Sequence, residues 1–192
     1  MAKTIRWILV VIMLFFGIAG IKTGMKTGVQ ILYPLAYEEH ITKYANEYGL
    51  DKFLIMAVIR TESDFVPDAH SGMAGGLMQL TEETAAWNAE RIGIEVYDYM
   101  DPETNIMLGC HYLRYLIDHY GVIDTALAAY NGGMGNVYSW LSDERYSIDG
   151  KSLVEIPFTE TKNYVIRVNE AWTYYRENYE EIRAANLQLQ SQ

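Results

Sequence analysis

This chain of 192 residues has little of what builds a disulfide scaffold, a metal centre or a nucleic-acid binder. Its one cysteine is Cys110. A single thiol excludes an intramolecular disulfide and supplies no metal site. Ile106, Leu113 and Ile117 flank it at helical spacing, so it is expected to be a small buried hydrophobe. The four histidines, His40, His70, His111 and His119, show no ligand spacing, and no metal or other cofactor is expected. Bases are scarce: 15 lysines and arginines face 25 acids, for a formal charge of −10. That argues against a nucleic-acid partner, because phosphate binding needs a basic surface. Only four residues are proline while 50% are apolar, enough for one core, so disorder is not expected. No strict alternation runs beyond four residues, and there is no internal repeat or low-complexity tract.

Charge is also missing from one early segment. Lys3 and Arg6 precede an uncharged run from Trp7 to Ile21, closed by Lys22. The run is short for a membrane span, which takes about 20 apolar residues. Two readings stay open. One is an uncleaved signal anchor, lengthened by Ile5 and the Gly24–Leu32 stretch. The other is a cleaved signal peptide with a weak small-residue site at Gly17-Ile18-Ala19. Either sends the following domain out of the cytoplasm. Residues 1–33 are therefore read as this segment and a linker, 34–182 as the domain, and 183–192 as a tail. No cysteine follows the run, so lipid attachment there is not expected.

After residue 34 the periodicity is helical. Pro34 opens a pattern through Tyr37, Ile41, Tyr44, Ala45 and Tyr48, stopped by Gly49. Asp51 can cap a second helix with Phe53, Leu54, Ala57, Val58 and Thr61 on one face. Thr81-Glu82-Glu83 starts a third, with acids where the helix dipole favours them. Asp101-Pro102-Glu103 starts a fourth, running to about Tyr120 and Gly121. A short apolar helix spans about Asp124 to Tyr130, and Thr159-Glu160 begins a long last one. Loops are expected at 64–80, 88–100 and 142–158. The predicted class is all-α.

Glu62 ends the second helix, four residues after Val58 and eight after Leu54. Partial burial and the negative end of the helix dipole would both raise its pKa. A carboxyl kept protonated near neutral pH can act as a general acid on a glycosidic oxygen. From spacing alone, a surface glutamate at a frayed helix end is the competing reading. Sixteen tyrosines and four tryptophans exceed the needs of an ordinary core, and some could line a sugar-binding cleft.

Several short motifs surround Glu62 in order. Glu62-Ser63 is followed by Ala69-His70-Ser71 and Gly75-Gly76-Leu77-Met78-Gln79. Next come Asp101-Pro102 with Asn105, then Ala129-Tyr130-Asn131-Gly132-Gly133. Glu155-Ile156-Pro157-Phe158 and Glu160-Thr161-Lys162-Asn163-Tyr164-Val165 close the set. Over roughly residues 38–178 this chain resembles the catalytic domain of soluble-type lytic transglycosylases, of lysozyme-like fold.

The resemblance implies an enzyme that cleaves the bond between N-acetylmuramic acid and N-acetylglucosamine in peptidoglycan and closes a 1,6-anhydro ring. It makes Glu62 the single acid and base. Ser63 belongs to its Glu-Ser signature, and Gln79 would line the cleft beside the scissile bond with Met78 packed there. Tyr130 and Asn131 would face Glu62, and Tyr164 would reach into the same cleft. Ser71 matches a serine that contacts the N-acetyl or peptide-bearing group. Between that serine and Gly-Leu-Met-Gln the family has five residues; here there are four, Gly72 to Gly75. The partners implied are glycan strands, the membrane through the first segment, and a cell-wall or secretion machine. A hydrolase on the same fold and a wall-binding protein without activity are the competing readings.

Overall fold

The computed structural model describes residues 33–190, with side chains as far as residue 184. The expected hydrophobic segment at the start lies outside the described residues. The chain divides into two compact units, Ala36–Glu177 and a second formed by Met1–Leu35 with Asn178–Gln192. The first unit holds the site and is described here.

Seven helices are present among the described residues: α1 (Glu38–Tyr48), α2 (Lys52–Ser63), α3 (Glu82–Arg91), α4 (Pro102–Tyr120), α5 (Ile123–Gly132), α6 (Met134–Leu141) and α7 (Thr159–Gln190). Their starts follow local chemistry. The Asp51 carboxylate accepts the Phe53 amide at 2.9 Å, and the Asp101 carboxylate accepts the Thr104 amide at 3.0 Å. The Thr81 hydroxyl accepts the Thr84 amide at 3.1 Å. Each such cap satisfies a donor that the first turn leaves without a partner. Gly121, in the left-handed region at φ 68°, closes α4.

The helix α4 is the hub, packing against α1, α3 and α5. Ile106, Leu108, Cys110, Leu113 and Leu116 are fully buried along it, so the thiol sits where the stripe places it. Burial in α2 goes further than one face. Leu54 through Ile59 are all buried, because the run is apolar all round and is enclosed on every side.

The structure corrects four expectations. The helix α1 starts at Glu38, four residues after Pro34, with Tyr37 left-handed at φ 57° before it. The helix α3 continues to Arg91 because the Asn88 side chain is buried, donating to the Thr84 carbonyl and meeting His111. The helix α6 was not anticipated. The loop expected at 64–80 contains a small antiparallel sheet of β1 (His70–Ser71), β2 (Ala74–Gly75) and β3 (Leu80–Thr81), in that order. Two-residue strands carry no detectable alternation, so pattern reading misses them. His70 pairs with Gly75, and Gly75 with Leu80. At the other end of the chain, α7 runs as far as Gln190.

Candidate active site

The Gly76–Gln79 segment is the turn from β2 to β3. Gly76 has φ +80°, and a β-carbon there would lie 2.2 Å from the Asn105 amide nitrogen. Only glycine accepts both conditions. Asn105, fully buried on α4, accepts the Met78 amide at 2.7 Å and donates to the carbonyls of Tyr99 (2.7 Å) and Gly75 (3.1 Å). Met78 is itself buried and packs against Gly109 of α4. Gln79 is left-handed at φ 47°. Its amide donates to the Ala69 and Gly76 carbonyls at 2.9 and 2.8 Å.

Glu62 lies in the last turn of α2 and is half-buried. The chain leaves the helix through two left-handed residues, Asp64 (φ 50°) and Phe65 (φ 63°). Neither is glycine, so each carries about 1 kcal/mol of strain or more. Ser63 is buried, and its hydroxyl sits 2.8 Å from the Leu77 carbonyl and 3.1 Å from the Ile59 carbonyl. That contact pins the end of α2 to the β2–β3 turn and so fixes Glu62 beside it.

Burial pushes the Glu62 carboxyl up to about 7, while Tyr164 and the Arg167 charge pull more weakly the other way. No second acid contributes. Tyr164 is buried on α7, and burial, with the nearby Glu62 charge, raises its phenol well above the ordinary value. Tyr164 is close enough to Glu62 for each to shift the other, yet its hydroxyl has no partner at full hydrogen-bond geometry. The Gln79 carbonyl oxygen is also buried and unpartnered. Buried polar atoms without partners are uncommon and call for an explanation. The Tyr164 hydroxyl, which acts on the near-neutral carboxyl, suits a site that completes its hydrogen bonds with a ligand. Tyr130 feels the same Glu62 charge, and its hydroxyl donates to the Met78 carbonyl at 2.8 Å.

The sequence-derived residues thus fall into three groups. Tyr164 and Tyr130 act on the Glu62 carboxyl, and Gln79 sits in the β2–β3 turn that Ser63 ties to the end of α2. Ser63 and Met78 are close by but buried, and they hold the frame. Ser71 is exposed on β1. Asn131, next to Tyr130, lines an adjoining groove of about 530 Å³ with Gly132, Phe158, Glu160 and Thr161. Glu160 and Thr161 stood in a recognisable motif but received no role from the sequence. Their place one turn before Tyr164 on α7 was the available signal. Arg167, three residues after Tyr164, was missed for want of any motif. Among the described residues no three His, Cys, Asp or Glu side chains are placed to hold a metal ion.

The described residues form a mostly helical domain of the lytic-transglycosylase-like fold class. The family described as Transglycosylase SLT domain matches residues 39–152, and this chain belongs to it. It is 38% identical over 151 residues to the soluble lytic murein transglycosylase of Salmonella typhimurium, covering 75% of this chain and 23% of that one. It is 33% identical to the membrane-bound lytic murein transglycosylase C of Serratia proteamaculans, covering 73% of this chain and 46% of that protein. An inactive mutant of the lytic transglycosylase Slt from Pseudomonas aeruginosa superposes with a TM-score of 0.70 at 33% identity. The match covers 79% of this chain and 26% of that one. This chain therefore spans between about a quarter and a half of the length of these relatives.

Proposed function

We propose that this protein is a peptidoglycan lytic transglycosylase in which Glu62 is both acid and base. The observation that carries the reading is the Glu62 carboxyl, raised to about 7 by burial, with no second acid among the described residues contributing to that rise. A two-carboxylate glycosidase holds its pair within about 10 Å of each other. A nucleophilic carboxylate about 5 Å away, as in a retaining glycosidase, would act on the Glu62 pKa, and no acid among the described residues does. Asp64 and Asp68, the nearest acids in sequence, are exposed.

In the proposed reaction Glu62 gives its proton to the oxygen between N-acetylmuramic acid and N-acetylglucosamine. The glycosidic bond breaks, and the muramyl N-acetyl group assists at the anomeric carbon. The Glu62 carboxylate then takes the proton of the muramyl 6-hydroxyl, whose oxygen closes the 1,6-anhydro ring. Protons and bonds balance without water. Tyr164 is placed to steady the carboxyl as its charge changes. The unpaired Gln79 oxygen offers an acceptor to a sugar hydroxyl or amide. Asn131, Glu160 and Thr161 would hold the strand in the groove, and Ser71 would reach it from the hairpin.

The rest of the organisation belongs to the same proposal. Residues 1–33 serve as a signal anchor with linker, 34–182 as the extracytoplasmic catalytic domain, and 183–192 as a tail. Wall remodelling or a secretion machine would supply the setting. The membrane-bound Serratia relative supports the anchor. Among the described residues no helix is long and apolar enough to cross a membrane.

The test is mass spectrometry of products from purified sacculi. Anhydromuramic ends, absent with Glu62→Gln, are the expected result. Reducing muramic ends would replace the lyase with a hydrolase, and intact glycan would leave a binding protein.

A further inference from the structure

A second groove has no part in the site above. It has a volume of about 740 Å³, and its lining shares no residue with the Asn131–Thr161 groove. Tyr120, Tyr138 and Leu141 supply apolar walls, and Asp118, Ser142 and Lys151 supply polar ones. Tyr138 is 75% exposed, a large cost in apolar surface for a ring that nothing covers.

The groove is joined to the catalytic wall by an unbroken series of ring contacts. Tyr130, beside Glu62, meets Tyr112 at 5.4 Å between ring centres, and Tyr112 meets Trp87 at 6.2 Å. Trp87 meets Tyr115 at 4.8 Å, Tyr115 meets His119 at 6.0 Å, and His119 meets Tyr120 at 4.7 Å. Tyr112, Tyr115, His119 and Tyr120 lie on one helix, α4. From Tyr112 to Tyr120 the rise is about 12 Å, a distance that a strand of a few sugars covers.

The chemistry narrows the occupant. The groove carries one acid and one base, so it is close to neutral. The protein as a whole carries −10, which disfavours an anionic partner. Flat rings interleaved with hydroxyl, carboxylate and ammonium groups suit an uncharged ring bearing hydroxyls and amides.

We propose that this groove is a second glycan-binding site, which holds N-acetylhexosamine units of a wall strand away from the bond being cut. The proposal rests on the reading of the protein as a wall enzyme. Stacking on Tyr138 and Tyr120 provides the affinity, and Asp118, Ser142 and Lys151 provide hydrogen bonds.

The experiment measures binding rather than turnover, in the full chain carrying Glu62→Gln. Chitin, an insoluble and uncharged N-acetylglucosamine polymer without stem peptides, is the probe in a co-sedimentation titration, with intact sacculi compared beside it. Tyr138→Ala, at an exposed position, is expected to weaken binding about tenfold. Tyr120→Ala, checked by its melting temperature, is expected to do the same. In the parent with Glu62 intact, Tyr138→Ala should leave turnover of a soluble tetrasaccharide unchanged and slow turnover of sacculi. N-acetylglucosamine oligomers should shift the amide resonances of Ser142 and Lys151. Binding within twofold of the parent by the Tyr138→Ala, Tyr120→Ala double variant overturns the proposal. So does binding that appears only when stem peptides are present. If the catalytic reading fails instead, turnover is absent in every variant while the binding loss remains.

Discussion

Met78 stands between two polar clusters of opposite character. On one side Asn105 is fully buried and spends both ends of its amide on backbone groups of Met78, Gly75 and Tyr99. On the other, Glu62 is held nearly neutral, and the Tyr164 hydroxyl and a Gln79 oxygen lack partners. The first cluster has nothing left to offer a ligand. The second has stability withheld from it, and its atoms remain available. A rigid, satisfied frame is what keeps the unsatisfied atoms from collapsing onto one another. The residues between them, Gly76 to Gln79, belong to both.

The sharpest way to break this comparison is to remove the acid. Glu62→Gln should lower turnover on sacculi by about a thousandfold, with the fold and glycan binding kept, as judged by circular dichroism and co-sedimentation. Turnover near the parent rate would end the assignment. On the frame side, Asn105→Ala strands two buried backbone groups and a part-buried one and should cost about 3 kcal/mol. For a domain of this size that is a fall in melting temperature of about 10 °C. A loss below 1 kcal/mol would mean the frame does not depend on Asn105.

The raised Glu62 pKa has a signed consequence for stability. Its value of about 7 in the fold lies above the ordinary 4.5, so the native state favours the protonated form. The parent is most stable, as far as this group is concerned, below pH 4.5, and loses that contribution as pH rises through 7. Glu62→Gln should therefore match the parent at pH 4 and exceed it at pH 8. A shift of this size corresponds to about 3 kcal/mol, and screening in a half-open site reduces it to about 1–2 kcal/mol. Denaturant titrations at the two pH values check the crossing, and a constant difference would contradict it. Parent turnover should fall over the same rise through 7.

Smaller effects separate the two tyrosines. Tyr164 lowers the Glu62 pKa, so Tyr164→Phe should move the alkaline limb of the activity profile to higher pH. It should also lower turnover about tenfold at little cost in stability, since the hydroxyl it removes makes only a loose contact with Glu62 and no hydrogen bond at full geometry. An unmoved limb would show that Tyr164 does not act on the acid. Tyr130→Phe removes the donor to the Met78 carbonyl. It should cost about 1 kcal/mol and lower turnover several-fold, because its hydroxyl acts by positioning. Melting curves and initial rates measured together decide whether turnover falls by more than the stability does.

The frame was largely legible in advance where it depends on local chemistry. Asp51, Thr81, Asp101 with Pro102, and Thr159 mark real helix starts, because capping is decided within a few residues. The helix α6 and the three short strands escaped, since each takes its shape from what it packs against. The site was legible as a set of motif residues but not as a division of labour. Nothing in the letters separates Gln79, which keeps a free oxygen, from Ser63, whose hydroxyl is committed to the Leu77 carbonyl. Glu62 itself could be read as half-buried from its distance to Val58 and Leu54. The Arg167 charge acting on it depends on how α7 passes α2, which no spacing along the chain reveals.

The close approach of Gly76 to Asn105 reaches into how this protein can vary. A side chain at 76 needs room that the amide at 105 fills, and a left-handed backbone besides. Position 76 cannot accept a side chain while Asn105 stays, and Asn105 is kept by the backbone groups that only its amide satisfies. In a library randomised at both, survivors should return the two letters together, so that they pass through descent as one inherited character.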